Sequence, residues 1–264
     1  MIQMKYIICL LITFITVHFT NGQDKSSKIY VKYAVNKGSI NSTEYLIANT
    51  NNALYTTDFI EVKNDKIIES EDGDDYRINP EIVKVNAMKY YSQLDSPYLY
   101  FVSQSKNSEN TIVAVDSLPK LQWELIPNKT KEINTFTCFE AKTTFRGSKI
   151  VAYYTPEIPA GFGPFKFKGL PGLILEAYNE DSGLKYHWKA IKIISPFNQK
   201  LNLKFSEELY DSPLVTYRSI VEKFDNKLKQ MDERMKARVS RGGSITLNKT
   251  ERVSIEKIYE WEEE

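Results

Sequence analysis

The sequence predicts a mainly β protein with one long helix (α+β), built as a curved antiparallel meander sheet with the helix near the C-terminus. Three observations carry this. Short stretches rich in Tyr, Ile, Val and Phe recur between polar, Gly-containing or Pro-containing turns. Aromatics are abundant, with 17 Tyr and 13 Phe, and such side chains suit a pleated, half-buried surface. A single window, residues 213–239, changes to alternating three- and four-residue apolar spacing, the signature of a helix stripe.

The first 22 residues read as an export signal: Lys5, an uncharged run from Tyr6 to Phe19, then Thr20-Asn21-Gly22. The run is shorter than the roughly 20 apolar residues a spanning helix needs. Small side chains at Thr20 and Gly22 suit cleavage before Gln23. Cys9 follows Ile8 rather than a small residue, so a lipid-anchoring arrangement is missing. The expectation is a periplasmic or secreted mature chain, residues 23–264, folded as a single domain without a membrane span.

Ile29–Ala34, Tyr45–Ala48 and Ala53-Leu54-Tyr55 read as strands, the last two joined by the polar turn Asn49–Asn52. Asp58–Pro80, with acids around Gly73, reads as an exposed loop. Met88–Gln93, Tyr98–Ser103 and Thr111–Val115 resume the β pattern, and Leu121, Trp123 and Leu125 alternate with polar residues as in a strand. Thr135–Thr144 and Lys149–Tyr154 flank a tight turn in which Gly147 supplies a positive φ. Leu173–Tyr178 and Leu184–Ile194 flank another turn, containing Asn179, Asp181 and Gly183. The helix is capped by Asp211 or Ser212, has Pro213 in its first turn and ends at Gly242-Gly243. Its stripe is Leu214, Tyr217, Val221, Phe224, Leu228, Met231 and Met235. The stripe either packs on the sheet or serves self-association or a partner.

Composition narrows the function classes. Without residues 1–22, 35 basic against 34 acidic residues become 34 against 34. A near-zero net charge argues against nucleic acid, whose binding needs clustered positive charge. His187 and Cys138 are the single histidine and thiol of the expected mature chain. A Cys-His dyad would need them to touch, yet Cys138 lies between Phe136 and Phe139, where an inert buried thiol is expected. No zinc, calcium, dinucleotide or nucleophile-elbow spacing occurs, so neither metal nor cofactor is expected. A carboxylate pair drawn together by the fold would support a hydrolase.

Between the last two hairpins lies a Pro- and Gly-rich excursion: Thr155-Pro156-Glu157-Ile158-Pro159, Gly163-Pro164-Phe165-Lys166-Phe167-Lys168 and Gly169-Leu170-Pro171-Gly172-Leu173-Ile174. Its last six residues spell the name of the GLPGLI family, which this chain resembles from about Met88 to Ile194. Trp123, Cys138-Phe139-Glu140-Ala141, Phe145-Arg146-Gly147 and Tyr154 through Pro159 stand in that family's order. Tyr153 departs from it, occupying a place where Trp is common. The resemblance implies an exported protein of double-membraned bacteria, of unassigned function. The motif residues Gly163, Pro164, Gly169, Leu170, Pro171, Gly172, Leu173 and Ile174 are expected to be structural.

The nearest architectural analogue is the half-barrel sheet of periplasmic lipoprotein carriers, an analogy of fold alone. Trp123, Tyr153, Tyr154, Phe162, Phe165 and Phe167 are the candidate binding residues, lining a groove or filling the core. The expected function is binding or interaction in the cell envelope. Either an apolar small molecule, lipid or peptide sits in the curved sheet, or an envelope protein docks on the outside. A hydrolase and a structural envelope subunit are the competing classes.

Overall fold

The computed structural model describes residues 27–57, 87–104, 111–207, 212–238, 252 and 254–262. The expected signal at 1–22 and the whole acidic loop at 58–80 lie outside them.

Among the described residues the strands form one open, twelve-stranded sheet with a particular chain path. From β1 (Lys28–Lys37) the chain meanders outward through β2 (Ile40–Ala48), β3 (Asn52–Thr56), β4 (Ala87–Gln93), β5 (Tyr98–Gln104) and β6 (Thr111–Ser117). It then crosses to the opposite edge and meanders inward through β7 (Glu124–Ile133), β8 (Phe136–Phe145), β9 (Ser148–Thr155), β10 (Leu173–Asn179) and β11 (Tyr186–Phe197). β11 pairs antiparallel with β1, which joins the two meanders into one surface. A three-residue β12 (Leu214–Thr216) adds parallel to β6, and α1 (Tyr217–Arg238) follows directly.

Turn chemistry matches the residues. Arg146 and Gly147 both have positive φ, 44° and 81°, as a two-residue hairpin of type I′ requires. At the turn after β10, Asn179 accepts from Tyr186 N at 2.7 Å and donates to the Leu184 carbonyl at 3.0 Å.

The sheet curls. Asp116 of β6 contacts Arg146 of the β8–β9 turn at 2.8 Å, although β6 and β9 are eight places apart in strand order. On a flat sheet that separation is about 38 Å, so the two halves bend toward each other without closing into a barrel.

An inner cluster fills the concave side, with Tyr33, Leu46, Leu99, Phe145, Ile150, Leu173 and Trp188 from the strands and Ile158, Phe162, Phe167 and Leu170 from the excursion. On the outer side of the first meander, Tyr30, Tyr45, Ile47, Leu54 and Val113 are covered by Phe197 and Leu203. All of β3 is therefore buried.

Three boundaries differ from the sequence pattern. β7 starts at Glu124, so Leu121 and Trp123 precede it and pack on the inner cluster. β11 begins at Tyr186, after Leu184, and runs on to Phe197. Pro213 and Leu214 are not in the helix. Residues 214–216 are taken up by the edge of β6, and Thr216 becomes the cap, its hydroxyl accepting from Ser219 N at 3.2 Å. Among the described residues no helix is long and apolar enough to cross a membrane.

Candidate functional site

The six aromatic candidates divide between the two faces of the sheet. Phe162 and Phe167 are buried in the inner cluster, and Phe165 stacks on Trp188 with centroids 5.9 Å apart and planes at 13°. Tyr154 is buried against Phe139. Trp123 donates its indole N–H to the Lys168 carbonyl at 2.9 Å, pinning the excursion to the start of β7. Tyr153 stands on the outer face, where its hydroxyl donates to Glu140 at 2.7 Å. The structure thus brings Phe162, Phe165 and Phe167 together inside the hollow and keeps Tyr153 apart.

The excursion is wedged into the concave side by close backbone approaches. A Cβ on Gly163 would lie 2.6 Å from the Ile174 Cβ, and one on Gly172 would lie 2.1 Å from the Thr155 carbonyl oxygen. Leu173 N and Ile174 N donate to the carbonyls of Ile158 and Phe162 at 3.1 and 2.9 Å. Pro164, Gly169, Leu170 and Pro171 complete this fold-back, with Leu170 buried and Gly169 N donating to the Gly161 carbonyl at 2.9 Å. Lys168 reaches across to the carbonyls of Gln93 and Ser96, both at 2.6 Å, which ties the excursion to the β4–β5 turn.

The mouth of the hollow holds a sealed charge cluster. Arg146 donates to both oxygens of Asp116, to Glu256 and to Glu260; Lys166 donates to Asp116 and Glu256, each at 2.7 Å. The Arg146, Lys166, Asp116 and Glu256 side chains are almost wholly buried, while Glu260 lies at the rim. Two cations and two anions balance inside. Burial opposes ionisation of Asp116, but Lys166 and Arg146 outweigh it and hold the carboxyl below its usual range. Burial also raises the Tyr217 hydroxyl, which donates to Glu256 at 3.0 Å.

A second polar group crosses the outer face of β7–β11. Register places Glu140 opposite Tyr153 and Tyr153 opposite Glu176. Glu176 pairs with Lys131 and, at 2.8 Å, with His187; Glu140 pairs with Lys129 at 3.3 Å. Despite burial, the Tyr153 hydroxyl and Lys129 keep Glu140 below the usual range, and His187 and Lys131 do the same for Glu176. Cys138 is buried, and desolvation pushes its thiol up to about 12, a value at which almost no thiolate forms near neutral pH.

Asp116 and Glu256 are buried, and both oxygens of each are already bonded by Arg146, Lys166 or the Tyr217 hydroxyl. The hydrolase reading finds no support in them. Among the described residues no group of three or more ligating side chains could hold a metal. A shallow outer groove of about 230 Å³, bounded by Tyr91, Tyr98, Tyr100, Lys204 and Phe205, lies below the usual size of a ligand pocket.

Sequence reasoning missed Asp116, Lys166 and Glu256, which carry no local signal. Arg146 had one, as a non-glycine residue in a two-residue hairpin turn. The outer row was legible as period two, since Glu140 and Lys142 share a face, as do Glu176 and Tyr178.

These features define a class: a β protein whose curled open sheet has its hollow filled by its own chain. Residues 145–176, which span that filling segment together with Arg146 and Lys166, match the model of a family described as "Protein of unknown function (Porph_ging)". Solved structures of PNGF-II in its C2 and P21 space groups are similar at 14% and 13% identity, with TM-scores of 0.49 and 0.50. The likeness covers 74% and 75% of this chain and 32% and 34% of those chains. This chain therefore spans about a third of their length, and the likeness concerns the fold alone. No curated protein matches the chain.

Proposed function

We propose that this is an exported envelope protein of the GLPGLI type that acts by contacting another protein rather than by holding an apolar molecule in its curved sheet. The observation that carries the reading is the placement of apolar side chains. Phe162, Phe165 and Phe167 occupy the hollow, whereas α1 leaves the sheet with Phe224 59% and Leu228 37% exposed. Exposed apolar residues aligned on one helix face suit helix recognition.

Charge narrows the partner. Lys223, Lys227 and Arg234 are exposed and lie along one flank of that stripe, so the matching surface is apolar with acidic neighbours. An antiparallel pair of copies would set Lys227 against Arg234, which disfavours self-association. The sheet edges are poor alternatives. β7 carries Pro127, Lys129 and Lys131 and a register break between Ile126 and Thr130, and β12 has three residues; short, charged or bulged edges resist strand addition.

A photo-crosslinking residue at Phe224 in living cells tests the reading. The expected result is one discrete adduct with a second protein in the envelope fraction, lost when Lys227 and Arg234 are both changed to Glu. A cytoplasmic location, no adduct, an adduct only with its own copy, or one lipid per chain in native mass spectrometry would overturn it.

A further inference from the structure

We infer that the mouth of the curled sheet is a peptide-binding site for an acidic, aromatic segment, and that residues 254–262 are its ligand, held in cis. The inference does not depend on α1 being a docking surface.

The site is built from parts of the chain that precede the segment. Arg146 is supplied by the β8–β9 turn, Lys166 by the excursion, Asp116 by β6 and Tyr217 by the start of α1. Without the segment, the buried groups would be two cations and one carboxylate, one positive charge in excess. Glu256 neutralises it. Its Oε1 accepts from Lys166 Nζ at 2.7 Å and from Arg146 Nη1, and its Oε2 accepts from the Tyr217 hydroxyl at 3.0 Å. Three donors converging on one carboxylate are how proteins recognise an acidic side chain of a peptide.

The rest of the segment binds as a peptide would. It forms no strand of the sheet. Lys257 N and Ile258 N donate to the Arg146 carbonyl at 2.8 and 3.2 Å. Ile255 inserts into the inner cluster. The Tyr259 ring lies 4.9 Å from the Arg146 guanidinium carbon and stacks on Trp261 at 4.4 Å, so the cation is capped by rings. One apolar anchor, one buried carboxylate and an aromatic pair, at Ile255, Glu256, Tyr259 and Trp261, constitute a short recognition motif. The site therefore accepts the same spacing supplied from another chain, including a second copy of this one.

The full chain with a protease site between Gly242 and Gly243 tests this. After cleavage, the C-terminal fragment is expected to stay bound on gel filtration and to exchange with a fluorescein-labelled synthetic peptide of residues 252–264. A peptide carrying Glu256→Gln is expected to bind at least tenfold more weakly. In the uncut chain, Glu256→Gln is expected to speed amide exchange at residues 255–261 while β8 and β9 stay protected. Failure of the labelled peptide to exchange, equal binding by the Gln peptide, or loss of protection throughout the sheet would each overturn the inference and make the segment an inseparable part of the core. None of these outcomes alters the crosslinking result at Phe224.

Discussion

Arg146 reaches Asp116, Glu256 and Glu260 with one guanidinium, and its side chain has no exposed surface. Removing one member of a buried ion set strands the others, at a cost of about 3–5 kcal/mol. Arg146→Met should lower unfolding stability by about that amount in urea titrations, with Lys166 left facing two carboxylates. The same cluster gives a pH dependence with a definite sign. The folded Asp116 carboxyl binds its proton less readily than the unfolded one, so its contribution is complete above the ordinary value of about 4. It is lost as pH falls through the lower folded value. Thermal melts should therefore show an acid-side loss below about pH 4 that is reduced in Asp116→Asn, once that variant's own lower starting stability is subtracted. Gly172 belongs to the same scale: with the Thr155 carbonyl 2.1 Å from any added Cβ, Gly172→Val should destabilise the fold, seen as lost soluble yield or a lowered Tm. A variant of native stability that lacked only its biological role would contradict this.

At the level of elements, α1 shows how an edge strand overrides a helix signal. Pro213 and Leu214 fit a helix start by sequence, yet residues 214–216 satisfy the open edge of β6 first, and the helix begins one turn later with Thr216 as cap. Thr216→Ala should cost about 1 kcal/mol, the usual worth of such a cap, measured by denaturant unfolding. The apolar stripe is used unequally. Val221 is buried and its truncation should be destabilising, whereas Phe224→Ser and Leu228→Ser should fall within about 0.5 kcal/mol of the parent because both side chains are already wet. A large loss from the outer pair would mean that the stripe is covered in the folded protein.

At the scale of the whole molecule, side chains of the described residues pack into the hollow. Phe167 is buried among Phe145, Phe165 and Trp188, with ring centroids 5.7, 6.0 and 5.8 Å away. Phe167→Ala should cost about 3–5 kcal/mol. It should also leave an apolar void able to take a benzene-sized probe, so added benzene should raise the variant's Tm and leave the parent's unchanged. A parent protein equally stabilised by benzene would indicate a pre-existing cavity. The curl that encloses this space is fastened by contacts that tie strands of the first meander to the β8–β9 turn and the excursion, Asp116 to Arg146 and Gln93 to Lys168.

Local chemistry in the sequence determined the β class, most strand positions, the Gly147 turn and the existence of the helix, because alternation and turn preference depend on near neighbours. The inert setting of Cys138 among Phe136 and Phe139 was legible for the same reason. Only the tertiary structure decided that β1 and β11 pair, that the aromatic excursion fills the hollow, and that Asp116, Arg146, Lys166 and Glu256 meet at its mouth. The β1–β11 pairs join residues about 150 to 170 positions apart, and the ion pairs of the cluster join residues 30 to 110 apart. The cluster's free energy comes from desolvation and charge balance across the curled sheet, which no local window of sequence contains.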